Sequence, residues 1–65
     1  MTLLLNGAPQ DVAAKTLAEV LAELGFSGRI VATAVNGDFV PARKRAEMAL
    51  SEGDRIEIVA PMQGG

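Results

Sequence analysis

Apolar and polar positions along this chain follow two periods, and the change from one to the other marks out the elements. Met1-Thr2-Leu3-Leu4-Leu5 is a short apolar run that predicts a strand, closed by Asn6-Gly7-Ala8-Pro9. These are turn formers, so a hairpin connection is expected there, with a second strand over roughly Gln10 to Val12. Pro9 has no N–H to give to a ladder, which assigns that strand to a sheet edge. The period then changes. Leu17, Val20, Leu21 and Leu24 fall on one helical stripe, while Ala18, Glu19, Ala22 and Glu23 take the other faces. Thr16 followed by Glu19 fits a capping box, in which each side chain satisfies a backbone N–H at the helix start, and Gly25 suits a left-handed stop.

After Gly28 and Arg29, the β-branched run from Ile30 to Val35 predicts a strand, closed by Asn36-Gly37. That dipeptide is the strongest short hairpin signal, because both turn positions need positive φ. The returning strand covers Asp38 to Val40 and is stopped by Pro41. Ala42 to Leu50 suggests one irregular helical turn with Leu50 pointing inward. Glu52-Gly53-Asp54 forms a turn, and Arg55-Ile56-Glu57-Ile58-Val59 alternates as a strand that buries Ile56 and Ile58.

The predicted order is strand, strand, helix, strand, strand, strand, an α+β domain in which one main helix covers one face of the sheet. A period of two places Leu3, Leu5, Val31, Val35, Val40, Ile56 and Ile58 under the helix. It leaves Leu4, Ala32, Ala34, Phe39 and Val59 on the open side. Apolar patches on small domains tend to be contact sites, which makes Leu4, Phe39 and Val59 candidates for a partner-facing surface. The plainer alternative is a scatter of exposed hydrophobic residues, normal on any protein.

Composition narrows the chemistry. At 65 residues the chain makes one domain, spanning 1–65, near the lower size limit for folding without staples. Cysteine and histidine are both absent, which removes disulfides, thiolate chemistry, soft-metal sites and the usual acid–base residue of neutral pH. No catalytic side-chain set and no metal site is expected. A net charge of −2, with Phe26 and Phe39 as the only aromatic residues, argues against nucleic acid. No leader-like segment or membrane-length apolar run is present, so a cytoplasmic location is expected. Arg43-Lys44-Arg45 reads as a solvated turn, with docking on an acidic partner as the alternative. Glu52 and Asp54 are assigned to a turn and Glu57 to solvent, because nothing forces these carboxylates to converge on a cation.

The chain finishes on Ala60-Pro61-Met62-Gln63-Gly64-Gly65, expected to be a flexible tail. Glycine has no Cβ, so Gly64 and Gly65 suit a channel too narrow for side chains. Extended, residues 60–65 reach roughly 20 Å at about 3.3 to 3.6 Å each. The working atoms are then the terminal carboxylate of Gly65, with Met62, Gln63 and Gly64 threading into partner sites. A merely frayed end is the competing reading.

Taken together, Val35-Asn36-Gly37-Asp38-Phe39-Val40-Pro41, Leu50, Glu52-Gly53-Asp54-Arg55-Ile56-Glu57-Ile58-Val59 and Gln63-Gly64-Gly65 resemble the ThiS family, the sulfur carriers of thiamin thiazole biosynthesis. The resemblance implies a ubiquitin-like β-grasp fold, with the first and last strands parallel in the middle of a mixed sheet. It also implies a protein that is carried, with no catalysis of its own and no bound cofactor. An E1-like adenylyltransferase would use ATP and magnesium to adenylate the Gly65 carboxylate. Sulfur supplied through a persulfide would then replace the adenylate and leave a thiocarboxylate, and thiazole synthase would take the sulfur. Ala42 stands where the family usually has arginine, with Arg43 beside it. Two alternatives stay open at this point: a carrier like the small subunit of molybdopterin synthase, and a non-covalent binding module with an inert tail.

Overall fold

The computed structural model describes residues 1–60. Strand β1 (Thr2–Leu5) and strand β2 (Ala8–Asp11) form an antiparallel hairpin, with Leu5 opposite Ala8 and Thr2 opposite Asp11. The connection is tighter than expected. Asn6 (φ 49°) and Gly7 (φ 86°) alone make the turn, while Ala8 and Pro9, expected in the loop, already belong to β2. The second strand therefore starts two residues earlier than Gln10 and ends at Asp11, before Val12. Pro9 sits opposite Leu4 on an edge strand, where a missing donor is tolerated.

Helix α1 (Leu17–Glu23) begins at Thr16, whose extended backbone and side chain form the expected cap. The Thr16 hydroxyl accepts from Glu19 N–H at 3.2 Å, and the Glu19 carboxylate accepts from Thr16 N–H at 3.3 Å and Lys15 N–H at 2.8 Å. Glu23, at the far end of α1, reaches back to accept from Ala13 and Ala14 N–H, which ties down the approach to the helix. Gly25, at φ 87°, takes the left-handed conformation just beyond the helix end.

Strands β3 (Ala32–Val35) and β4 (Asp38–Val40) pair across the Asn36-Gly37 turn, both of whose residues have positive φ. β3 begins at Ala32, leaving Ile30 and Val31 in the approach to it. A 3₁₀ helix (Ala42–Glu47) follows, then strand β5 (Arg55–Val59). The sheet order is β2-β1-β5-β3-β4. β5 therefore lies in the middle, parallel to β1 and antiparallel to β3. This is the mixed sheet expected of a β-grasp.

The core lies between α1 and one face of the sheet. Leu3, Leu17, Val20, Leu21, Val35, Val40, Ile56 and Ile58 are buried in it, joined by Val12 and Ala14 from the β2–α1 connection. Leu5, Val31 and Leu50 are half-buried and pack against that cluster. Leu17 N–H donates to Met48 O at 2.9 Å and Leu50 N–H to Lys15 O at 2.9 Å, which binds the segment after the 3₁₀ helix to the start of α1. Among the described residues, no helix is long and apolar enough to cross a membrane.

Among the described residues one buried position is polar. Thr33 is only 2% exposed, and its hydroxyl donates to Val40 O at 2.8 Å. It also accepts from Arg45 Nε at 3.0 Å, while Arg45 Nη2 donates to Val31 O at 2.6 Å. Arg45 is therefore not part of a solvated or partner-seeking basic run: its guanidinium staples the 3₁₀ helix to β3. Arg43 and Lys44 remain exposed.

Candidate functional site: the open sheet face and the end of the central strand

Alternation along the strands divides each between the two faces of the sheet. In β5, Ile56 and Ile58 enter the core, so Arg55, Glu57 and Val59 stand on the opposite face. Register brings their neighbours into place. Leu4 lies beside Arg55, Ala34 lies between Glu57 and Phe39, and Ala32 lies opposite Val59. The expected open-face set of Leu4, Ala32, Ala34, Phe39 and Val59 thus shares one side of the sheet.

That side is less uniform than the alternation suggested. Phe39 is 70% exposed and Val59 61%, and they present large apolar surface on the β3–β4–β5 half. Leu4 is half-buried on the other side of β5, so Arg55 and Glu57 run between it and Phe39. Among the described residues neither charge forms an ion pair; the sole pair joins the Met1 ammonium to Asp11 Oδ1 at 3.7 Å. A shallow depression lined by Leu4, Asn6, Gly7, Gly37, Arg55 and Glu57 crosses this part of the face.

Ile30, which the face assignment did not include, is 82% exposed. It precedes β3, and because Ala32 pairs with Val59 it lies toward the same end of the sheet as the close of β5. Its signal was a β-branched residue one step outside the alternating core pattern, which was absorbed into the strand.

The acidic residues near β5 do not converge. Glu52 accepts from Thr2 N–H through both oxygens, at 3.1 and 3.2 Å. Asp54 accepts from Ser51 N–H at 2.8 Å and from Asn36 Nδ2 at 3.1 Å. Glu57 stands alone on the open face. Asp54 serves its turn and Glu57 is exposed, as expected, while Glu52, expected to serve a turn, reaches across to the start of β1.

Two asparagines hold β5 from its two ends. Asn36 N–H donates to Arg55 O at 2.7 Å, and its side-chain oxygen accepts from Arg55 N–H at 3.0 Å, at the strand's start. Asn6 does the corresponding work at the finish. Its Oδ1 accepts from Ile58 N–H at 2.9 Å and its Nδ2 donates to Ile58 O at 3.1 Å. The sheet pairing of β5 ends at Val59. Met62, Gln63, Gly64 and Gly65, the predicted threading segment and sulfur-bearing terminus, lie outside the described residues.

Comparison with known proteins agrees with this architecture. The chain is 41% identical over 61 residues to the sulfur carrier protein ThiS of Thermus thermophilus, covering 94% of this chain and 95% of that one. It is 39% identical over 66 residues to a thiazole synthase of Paramagnetospirillum magneticum, covering all of this chain but spanning only 20% of that longer protein. Among solved structures, the crystal structure of the thiamine biosynthesis protein ThiS from Geobacter metallireducens superposes with a TM-score of 0.83 at 28% identity, covering the whole of both chains. A solution structure of a thiamine biosynthesis protein from the same organism gives 0.80 at 26% identity, covering all of this chain and 88% of the other. The ThiS family profile matches residues 3–65, from the first strand to the final glycine. With a β-grasp sheet built as the solved ThiS structure is, and a match that runs through Gly64 and Gly65, this chain belongs to the ThiS family of sulfur carrier proteins.

Proposed function

We propose that this chain carries sulfur for thiamine biosynthesis as a thiocarboxylate on the carboxyl carbon of Gly65. The observation that carries the proposal is the family match through Gly65, joined to a central strand whose ladder ends at Val59. Residues 60–65 follow that last rung, with a reach of roughly 20 Å when extended, enough to present a terminus to an enzyme docked on the domain.

The chemistry needs help from outside. A carboxylate ionised at neutral pH is a poor electrophile. Adenylation by an E1-like partner using ATP and magnesium joins a carboxylate oxygen to the α-phosphorus of ATP with release of pyrophosphate, which makes AMP the leaving group. The outer sulfur of a partner's persulfide then adds at the carbonyl carbon and AMP departs, and a thiol reductant cleaves the S–S bond of the resulting acyl disulfide to leave the thiocarboxylate. The glycines serve as the part of the chain that fits a narrow channel, with Met62 and Gln63 leading them in. Leu4, Phe39 and Val59 supply the apolar contact that docks the domain. Thiazole synthase is the proposed acceptor, a reading supported by the Paramagnetospirillum thiazole synthase, which contains a stretch 39% identical to this chain.

Deleting Gly65 tests the reading. The variant should melt like the parent and receive no sulfur from the adenylyltransferase system. Sulfur transfer at the parental rate would show that the terminus is not the cargo site, and a collapse of the melt would show that the tail is structural.

A further inference from the structure

We propose that Asn6 is a positioning residue for the C-terminus. Its side chain replaces the rung that β1 lacks opposite Ile58 and so fixes the strand end from which residues 60–65 begin. The inference rests on the reading that partner enzymes act at Gly65.

The geometry is specific. Leu4 N–H donates to Asp54 O at 2.9 Å and Asn6 N–H to Ile56 O at 2.8 Å, so β1 and β5 step along in parallel. The next rung would join a further β1 residue to Ile58, but at Asn6 and Gly7 the chain turns away, with φ of 49° and 86°. The Asn6 carboxamide fills that place. A carboxamide offers a C=O and an N–H as a peptide unit does, and it meets both backbone groups of Ile58. The position makes two demands at once: a residue that tolerates left-handed φ, and a side chain with both a donor and an acceptor. Asparagine meets both. Aspartate would keep the turn and the bond from Ile58 N–H but would set negative charge against Ile58 O. Glycine would keep the turn and leave the rung empty.

Asn36 provides an internal control. It has the same dipeptide, the same sign of φ and a similar grip on β5, but at Arg55, the end farther from Gly65. A purely structural role predicts that the two asparagines behave alike. A positioning role predicts that they do not.

The test compares Asn6→Gly, Asn6→Asp and Asn36→Gly in the full chain, held well below their melting temperatures. Amide hydrogen exchange is read at Ile58, and adenylation by the E1-like enzyme with ATP is read as separate kcat and KM. In Asn6→Gly, exchange at Ile58 should quicken by about tenfold while core amides of α1 hold, and in Asn6→Asp, which keeps that acceptor, it should quicken much less. Adenylation kcat should fall severalfold with KM nearly unchanged, because docking through the sheet face is intact and only delivery of the terminus is impaired. Asn36→Gly should lower the melt and leave kcat unchanged. Unchanged exchange at Ile58 in Asn6→Gly, unchanged kcat in the Asn6 variants, or an equal fall in Asn36→Gly would each overturn the proposal. A wild-type chain that is not adenylated at all would overturn the sulfur-carrier reading and this inference with it.

Discussion

Arg45 and Thr33 are joined by a 3.0 Å hydrogen bond between the guanidinium Nε and the threonine hydroxyl, a polar side chain buried in the core. Through it the 3₁₀ helix is held against β3, and the same guanidinium reaches Val31 O. Removing Arg45 would leave that carbonyl short of a charged donor. Bonds of this kind contribute about 1.5 to 3 kcal/mol. Arg45→Ala should therefore lower the melting temperature by about 6 to 24 °C, at about 4 to 8 °C per kcal/mol for a domain of this size. Arg43→Ala, two residues away on the exposed side, should change stability by less than about 0.5 kcal/mol. Thermal melts of the pair check the contrast, and equal losses would refute it.

The capping box gives a second, smaller prediction. Thr16→Ala removes the acceptor for Glu19 N–H and loosens the reciprocal bond from Glu19. The loss should be about 1 kcal/mol, within a range of about 0.5 to 2. Thr16→Ser, which keeps the hydroxyl, should recover most of it. Urea midpoints at constant m-value provide the measurement.

Phe39 and Val59 stand well exposed on the open face and take little part in the core. Replacing either with serine should shift the melt by less than about 0.5 kcal/mol. The KM of the carrier for its adenylyltransferase should rise by roughly five- to thirtyfold, equivalent to about 1 to 2 kcal/mol of lost contact. Ile30→Ser tests whether the apolar contact continues toward the end of β5. Steady-state kinetics on the three variants would separate a docking face from inert surface, on which KM would not move.

Much of this fold can be read locally. The helix, its cap and its left-handed stop sit within ten consecutive residues, Thr16 to Gly25, where periodicity and side-chain chemistry agree. The two Asn-Gly turns show how a neighbour alters the same signal. Asn36-Gly37 is followed by Asp38 and Phe39 and reads directly as a two-residue turn. Asn6-Gly7 is followed by Ala8-Pro9, and the proline suggested a longer loop, although an edge strand accepts it. Contacts distant in sequence were not legible. The central place of the last strand comes from the family resemblance and Glu57 at solvent from alternation, but neither shows that Arg55 and Glu57 run between Leu4 and Phe39. The reach of Arg45 back to Thr33 and Val31, and of Asn6 forward to Ile58, depends on tertiary approach that alternation does not encode.

The central claim is that the last carbonyl carbon of this chain is where sulfur is loaded. Intact-mass measurement tests it most directly, on the wild-type chain after incubation with the E1-like adenylyltransferase, ATP, magnesium, a persulfide donor and a thiol reductant. The expected product is heavier by the difference between one sulfur and one oxygen, with fragmentation placing the change on Gly65. A mass that stays at that of the starting chain, or a sulfur located on any other residue, would contradict the claim.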